Sequence, residues 1–338
     1  MAYSMNLRFL VGKLETTPGT METLASSDFD VRVRNPEVSP IIEPDDEASK
    51  YANGNHGEDE VVLGAQSGTI SFATRMCYAG DVTTEPQWWK FAHGCGAKTV
   101  AYTTTGIAIQ PLKDYDTKTM TIWVYDLEVG GATPAGVIYQ FSGCSGNMTM
   151  GAEGIGKPWM AAFTFTGKLE DITDVAYASL LEIGDIDTTH PEKFLNNVMT
   201  IGSVAQCISS FQLDVGNEVN PYICQSESTG YMNFQITARR PRLSCDPIMQ
   251  SVATEDVWGK MTSGLTGAIT TEALSIASNN FTLTVPKAQQ IQAGVANREG
   301  LINWDANFKC LANGVTGAVA DAVMPPEATW ELLIGDRA

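Results

Sequence analysis

Apolar and polar residues alternate with a period of two along most of the chain. In GTISFATRM, Ile70, Phe72 and Met76 fall on one face and Thr69, Ser71 and Arg75 on the other, the pattern of a strand with one buried face. INWDANFKC alternates most regularly, setting Ile302, Trp304, Ala306, Phe308 and Cys310 against Asn303, Asp305, Asn307 and Lys309. TMTIWVYD is apolar on both sides, with Met120, Ile122 and Val124 opposite Trp123 and Tyr125, so it predicts a strand covered on both faces. Further strands are predicted over VRVRNPEVSP, VIYQFSG, WMAAFTF, ISSFQLDVGN, GYMNFQIT and NFTLTVP. Helical signals are few. TEPQWWKFAHGCG offers Thr84 as a cap, Glu85 and Pro86 in a first turn, and Gly94 and Gly96 as a stop. DPIMQSVATEDVW offers Asp246 as a cap with Pro247 just inside, which predicts a helix over 246–258.

The order of these elements repeats. Each half reads strand, loop, strand, helix, then strands, and the landmark Trp159 of the first half has Trp304 as its counterpart in the second. The chain therefore reads as mainly β, with two tandem antiparallel domains produced by internal duplication. The domains span 1–169 and 193–338, and an acidic linker, 170–192, joins them. The 36–67 segment is too long and too acidic for a simple hairpin, and loops beyond about 12–15 residues are usually functional or disordered. Its counterpart, 217–229, is much shorter.

The segment GAEGIGKP, residues 151–158, is one residue short of a P-loop. A P-loop must open a helix whose N-terminal amides hold phosphate. Here Pro158 stands where the magnesium-binding hydroxyl belongs, and an alternating strand follows. The segment is a hairpin connection, and no nucleotide or other cofactor is expected. AGVANREG, its counterpart, is read as the matching loop.

Of 338 residues, 39 are acidic and 21 basic, a net charge of −18, which repels nucleic acid and anionic membrane. The seven cysteines are odd in number and lack a C-x-x-C pair, which argues for free thiols rather than a disulfide or zinc framework. The histidines are His56, His93 and His190, too few and too scattered for a metal set. His93 lies two residues from Cys95, a pairing that only spatial contact could turn into a nucleophile. No catalytic constellation emerges, so the chain is not read as an enzyme. No apolar run reaches the roughly 18 residues of a membrane span.

GKLETTPGTMETL near the N-terminus, VRVRNPEVSPIIEPDDEASKYANG, SGTISFATRM, PQWWKFAHGCG and WMAAFTFTGKL follow one another in the first half. SFQLDVGNEV, TARRPRLSCDP, NFTLTVPKAQ and REGLINWDANF follow in the second. In this order they resemble the tail tube proteins, or major tail proteins, of long-tailed bacteriophages, of the two-domain type. The resemblance implies two β-sandwich or half-barrel domains, each with a flanking helix. It implies a virion protein, made in the bacterial cytoplasm, that assembles with itself into stacked rings around a lumen. Three chains would supply six domains, a trimeric ring with pseudo-sixfold symmetry. Implied partners are the tape measure, tail terminator and distal tail proteins, with DNA passing through unbound and no membrane involved.

By the same resemblance the long loop reaches the next ring. Its candidate stacking residues are Glu43, Asp45, Asp46, Glu47, Lys50, Tyr51, Glu58, Asp59 and Glu60, and the candidate basic partners are Arg239, Arg240 and Arg242. The acidic balance further suggests a lumen of net negative potential. The main alternative is a capsid or decoration protein; a β-sandwich enzyme and a secreted adhesin fit the cysteines and polar residues less well.

Overall fold

The computed structural model describes residues 3–45, 62–78, 84–102, 106–111, 118–128, 135–176, 191–273, 281–313 and 328–335. The first half holds β1 (Tyr3–Leu14), β2 (Val33–Asp45), β3 (Val62–Arg75), helix α1 (Trp89–Gly94), β4 (Ala97–Tyr102), β5 (Gly106–Pro111), β6 (Met120–Glu128), β7 (Ala135–Ala152) and β8 (Met160–Ala176). The second half opens with β9 (Val198–Ile201), β10 (Val204–Gln206), β11 (Phe211–Asp214), β12 (Asn217–Ile223), β13 (Tyr231–Arg239) and β14 (Arg242–Cys245). Helix α2 (Val257–Ser263), β15 (Thr266–Ala273), β16 (Phe281–Arg298), β17 (Leu301–Leu311) and β18 (Glu331–Gly335) complete it. The protein is mainly β, as the alternation predicts.

Sixteen of these strands form one continuous sheet, and β12 and β13 form a separate hairpin. Within the first half the strand order is β1-β6-β7-β8-β3-β2; within the second it is β9-β15-β16-β17-β14-β11. The two orders correspond strand for strand. Thr74 pairs with Ala161, and Cys245 pairs with Ala306. Continuing each register places Met76 opposite Trp159 and Pro247 opposite Trp304. The Met76 N–H donates to the Trp159 carbonyl at 3.0 Å, and the Trp304 N–H donates to the Pro247 carbonyl at 2.8 Å.

The halves are sewn together twice. Phe211–Asp214 of β11 pair antiparallel with Thr149–Ala152 at the end of β7. On the other side β18 runs between β16 and β5, pairing Phe281–Thr284 on one edge and Gly106–Ile109 on the other. One apolar core spans both halves. At its centre Trp159, 1% exposed, meets Phe211 edge-on at 4.8 Å and stacks on Phe281 at 6.4 Å. Helix α1 presses Phe91 against Phe72 at 4.8 Å. A second small cluster, Val11, Leu24, Phe29, Tyr125 and Ile138, covers the opposite face of β1 and β6, which is why β6 is apolar on both sides.

Four local expectations are corrected. Helix α2 starts at Val257, not at Asp246: Asp256 is its cap, accepting from the Gly259 N–H at 2.8 Å. The Asp246 carboxylate is engaged elsewhere, accepting from the Ser209 and Ser210 N–H groups and from Arg298, and Ile248 bridges to Asn303 in extended form. Helix α1 starts at Trp89, with Trp88 rather than Thr84 at its cap position and no side-chain cap bond. AGVANREG is no loop: β16 continues to Arg298, and only Glu299 and Gly300, both at positive φ (51° and 89°), make the turn. Positive φ at both positions is what a two-residue hairpin turn of type I′ requires. Residues 170–176, read as linker, continue β8, pairing as far as Ala176 with Ala135.

Because one core crosses both halves, thermal unfolding is expected as a single transition. Trp159→Ala should lower stability by about 3–5 kcal/mol while that transition remains single. Calorimetry checks both, and two separate transitions in the parent chain would contradict the shared core.

Candidate assembly surfaces

The β2–β3 hairpin extends beyond the body of the sheet towards the acidic segment. Asp46, Glu47, Lys50, Tyr51, Glu58, Asp59 and Glu60 lie outside the described residues, and so does the tip; Glu43 and Asp45 end β2. The root of this arm is braced by the second half. The Tyr231 hydroxyl donates to Glu43 at 2.9 Å, and the Gln66 N–H donates to the Thr229 carbonyl at 2.9 Å. Burial, followed by the bond to Glu43, pushes the Tyr231 phenol pKa up. Lys168, buried on β8, pairs with Glu170 at 2.9 Å and reaches Glu227 at 3.7 Å, tying the β12–β13 tip to the first half. Ile41, Ile42, Leu63, Tyr222 and Ile223 are exposed around this root.

Glu15, from the GKLETTPGT opening, is 4% exposed. It accepts from the Gly19 and Gly143 N–H groups, each at 2.7 Å, and from the Thr119 and Thr121 hydroxyls. Four donors without a cation satisfy the carboxylate, and they fasten the segment after β1 onto β7. In the sequence the signal for this cluster is Glu15 as the one acid amid the Thr and Gly residues of GKLETTPGT.

The three candidate arginines are not equivalent. Arg239 is half-buried against the turn at Gly96, where a Cβ would lie 2.4 Å from its Nη2. Arg240 is exposed and pairs with Glu218 at 3.7 Å. Arg242 is exposed on β14, in register with Asp214 and Lys309.

Where β11 turns into β12, a polar network closes the junction between the halves. The Asn147 amide donates to Asp214 at 2.8 Å and accepts from the Asn217 N–H at 2.9 Å; Asn217 donates to the carbonyls of Cys95 and Gly146. The sheet face turned away from the core carries small and polar side chains such as Ser71, Thr164, Thr149, Gln212, Ser244 and Asn307. A shallow groove of about 440 Å³ crosses this face at the junction. The groove is lined by the carboxylates of Glu153, Asp246 and Asp305, and elsewhere on the face the cations Arg75, Arg242 and Lys309 are interspersed with Asp214.

Among the strand edges without a partner in the described residues, two lie at the ends of the corresponding half-sheets. One is the outer edge of β2, which ends the sheet; Arg8, paired with Asp126, reaches it through the Pro36 carbonyl at 3.3 Å. Pro40 sits there in register with Gly68, a place where a missing N–H costs no ladder bond. The other is β16 beyond Gln290, on the side that β15 leaves at Gln289.

The chemistry considered from sequence does not assemble. His93 contacts the Ala97 carbonyl, Glu85 and Thr99, and Cys95 is buried with its pKa pushed well up by desolvation, so the two make no activated thiolate. His56 and His190 lie outside the described residues. Among the described residues no group of His, Cys, Asp and Glu could hold a metal, and no helix is long and apolar enough to cross a membrane. GAEGIGKP joins β7 to β8, as a hairpin connection should. The sequence carries a further, decisive match: a family model described as phage tail tube protein fits residues 5–298. The chain belongs to that family.

A search of the curated proteins found no match. Membership fixes a structural role in the phage tail, in a family that is not one of enzymes. The surfaces that matter in a tail tube protein are those other subunits meet: the braced arm, the two strand edges and the polar face.

All seven cysteines of the tail tube protein are free. Burial raises the pKa of Cys245 and Cys310 to about 12 and that of Cys144 well above the usual range, whereas the bond from Ser226 lowers that of Cys224. Maleimide labelling at neutral pH followed by mass spectrometry should modify Cys224 and exposed Cys207 first. Cys95, Cys144, Cys245 and Cys310 should react only after denaturation; early labelling of any of these four would contradict the packing.

Proposed function

We propose that this tail tube protein assembles with itself into rings that stack into a hollow tube, the passage for DNA during ejection. The supporting observation is the β7·β11 junction, where two halves of matching strand order are already joined edge to edge in one sheet. Repetition of that junction between chains closes a ring without leaving long unpaired edges. Three chains would give six half-units, a trimeric ring with pseudo-sixfold symmetry. Internal duplication, with halves 1–169 and 193–338, accounts for the matching orders.

The polar face turned away from the core becomes the lumen wall on this reading. It is hydroxyl-rich and carries charges of both signs, and the chain's acidic balance leads us to expect a net negative potential along it. Arg242 has Asp214 as its register partner, so the cations on this wall are not an uninterrupted phosphate-binding stripe. The β2–β3 arm makes the axial contact with the next ring, through Glu43–Glu60, and of the candidate arginines Arg240, with its exposed side chain, is the one placed to receive it. The tape measure, tail terminator and distal tail proteins would meet the two ends of such a tube.

Electron microscopy of concentrated purified protein should show annular particles and tubes; monodisperse monomers at all concentrations would refute the assembly. Deletion of Asp45–Glu60 should leave folded chains or rings that no longer stack, and tubes formed by this variant would remove the axial role from the arm.

A further inference from the structure

We infer that the open edge of β16 at Gln292–Val295 is the seat for β2 of a second copy of this chain, and that Gly294 is small so that Arg34 of that copy can cross it. The inference rests on the proposal that copies join side by side. It is carried by a glycine that the isolated chain does not explain.

Inside the chain, Gly151 of β7 lies opposite Gln212 of β11. A Cβ on Gly151 would stand 2.2 Å from the Phe211 carbonyl oxygen and 2.9 Å from the Gln212 Cα. No side chain fits there, so the crossing demands glycine. Aligning Trp159 with Trp304 carries this position to Gly294, because Gly151 pairs with Met160 and Gly294 pairs with Asp305. The second half thus keeps a glycine at the same place. There, nothing crowds it: a Cβ on Gly294 would meet only Asp305, no closer than 3.6 Å, and its φ is not positive. Glycine in a strand interior weakens the strand and often marks the close approach of another backbone.

The same alignment names the arriving strand. Val33 pairs with Thr74 as Phe211 pairs with Cys245, so Arg34 corresponds to Gln212. Arg34 of the incoming copy is therefore placed across Gly294 and beside Asp305, both charged side chains being exposed in the single chain. Their internal counterparts, Gln212 and Met160, are uncharged, so the contact between copies gains an ion pair that the contact within a chain lacks. The surroundings fit a covered surface. Val295, Leu301, Ile302 and Trp258 are 52–62% exposed at this end of the second half, and Trp258 meets Trp304 edge-on at 5.8 Å. In the first half the equivalent end, at Trp159, is sealed by Phe211 of the other half.

The test uses the full chain. Gly294→Val should leave the unfolding temperature of the dissociated chain close to that of the parent, yet weaken side-by-side association in sedimentation about a hundredfold. Arg34→Asp and Asp305→Arg should each weaken it about tenfold, and the double variant Arg34→Asp/Asp305→Arg should recover most of the loss. This charge exchange decides the matter even if the valine impairs folding. Rings from Gly294→Val at parental concentrations, or a double variant no better than the singles, would overturn the seat while leaving ring assembly standing. A parent chain that never associates would overturn both.

Discussion

The structure depends on one constraint: every edge of an antiparallel sheet exposes a row of N–H and C=O groups that must be paired or kept from pairing. In this chain the end of β7 is paired by β11, and that four-residue ladder turns two half-units into one sheet. The shared core follows from it, since Phe211 reaches Trp159 only because β11 lies against β7. The polar network of Asn147, Asp214 and Asn217 then closes the point where the strand leaves the sheet. Prolines along β2 limit how much of the remaining edge can be paired.

Much of this was legible in the sequence because the alternation is strong. INWDANFKC and GTISFATRM have their Trp304, Phe308, Ile70 and Phe72 on the core face, as the period of two requires. The glycine loop at 151–158 was read correctly, since a strand on either side leaves no helix for phosphate. The misses are local and have physical causes. Asp246 looks like a helix cap, but its carboxylate satisfies the Ser209 and Ser210 amides, a long-range claim that no local pattern reveals. AGVANR looks like a loop because small residues obscure alternation, yet its ladder to β17 holds it extended. Strand β18 escaped notice because five residues after a long stretch of small residues and prolines carry little periodic signal.

The candidate site was less legible. Charge and length identified the arm, but not its bracing by Tyr231 and Thr229, which come from far along the chain. TARRPR looks like one basic patch, whereas Arg239 packs inward and only Arg240 and Arg242 face solvent. Burial separates residues that composition groups together.

Strand β18 bears on symmetry. It fills the gap between β5 and β16 with Trp330, Leu332 and Ile334 almost completely buried, and it has no counterpart among the described residues of the first half. In a closed annulus, the seam within a chain would therefore carry a wedge absent from the seam between chains. Neighbouring seams would alternate in stiffness, so bending or stretching would concentrate at every second one. Were the ring the proposed trimer, its apparently sixfold wall would yield mechanically as a threefold one.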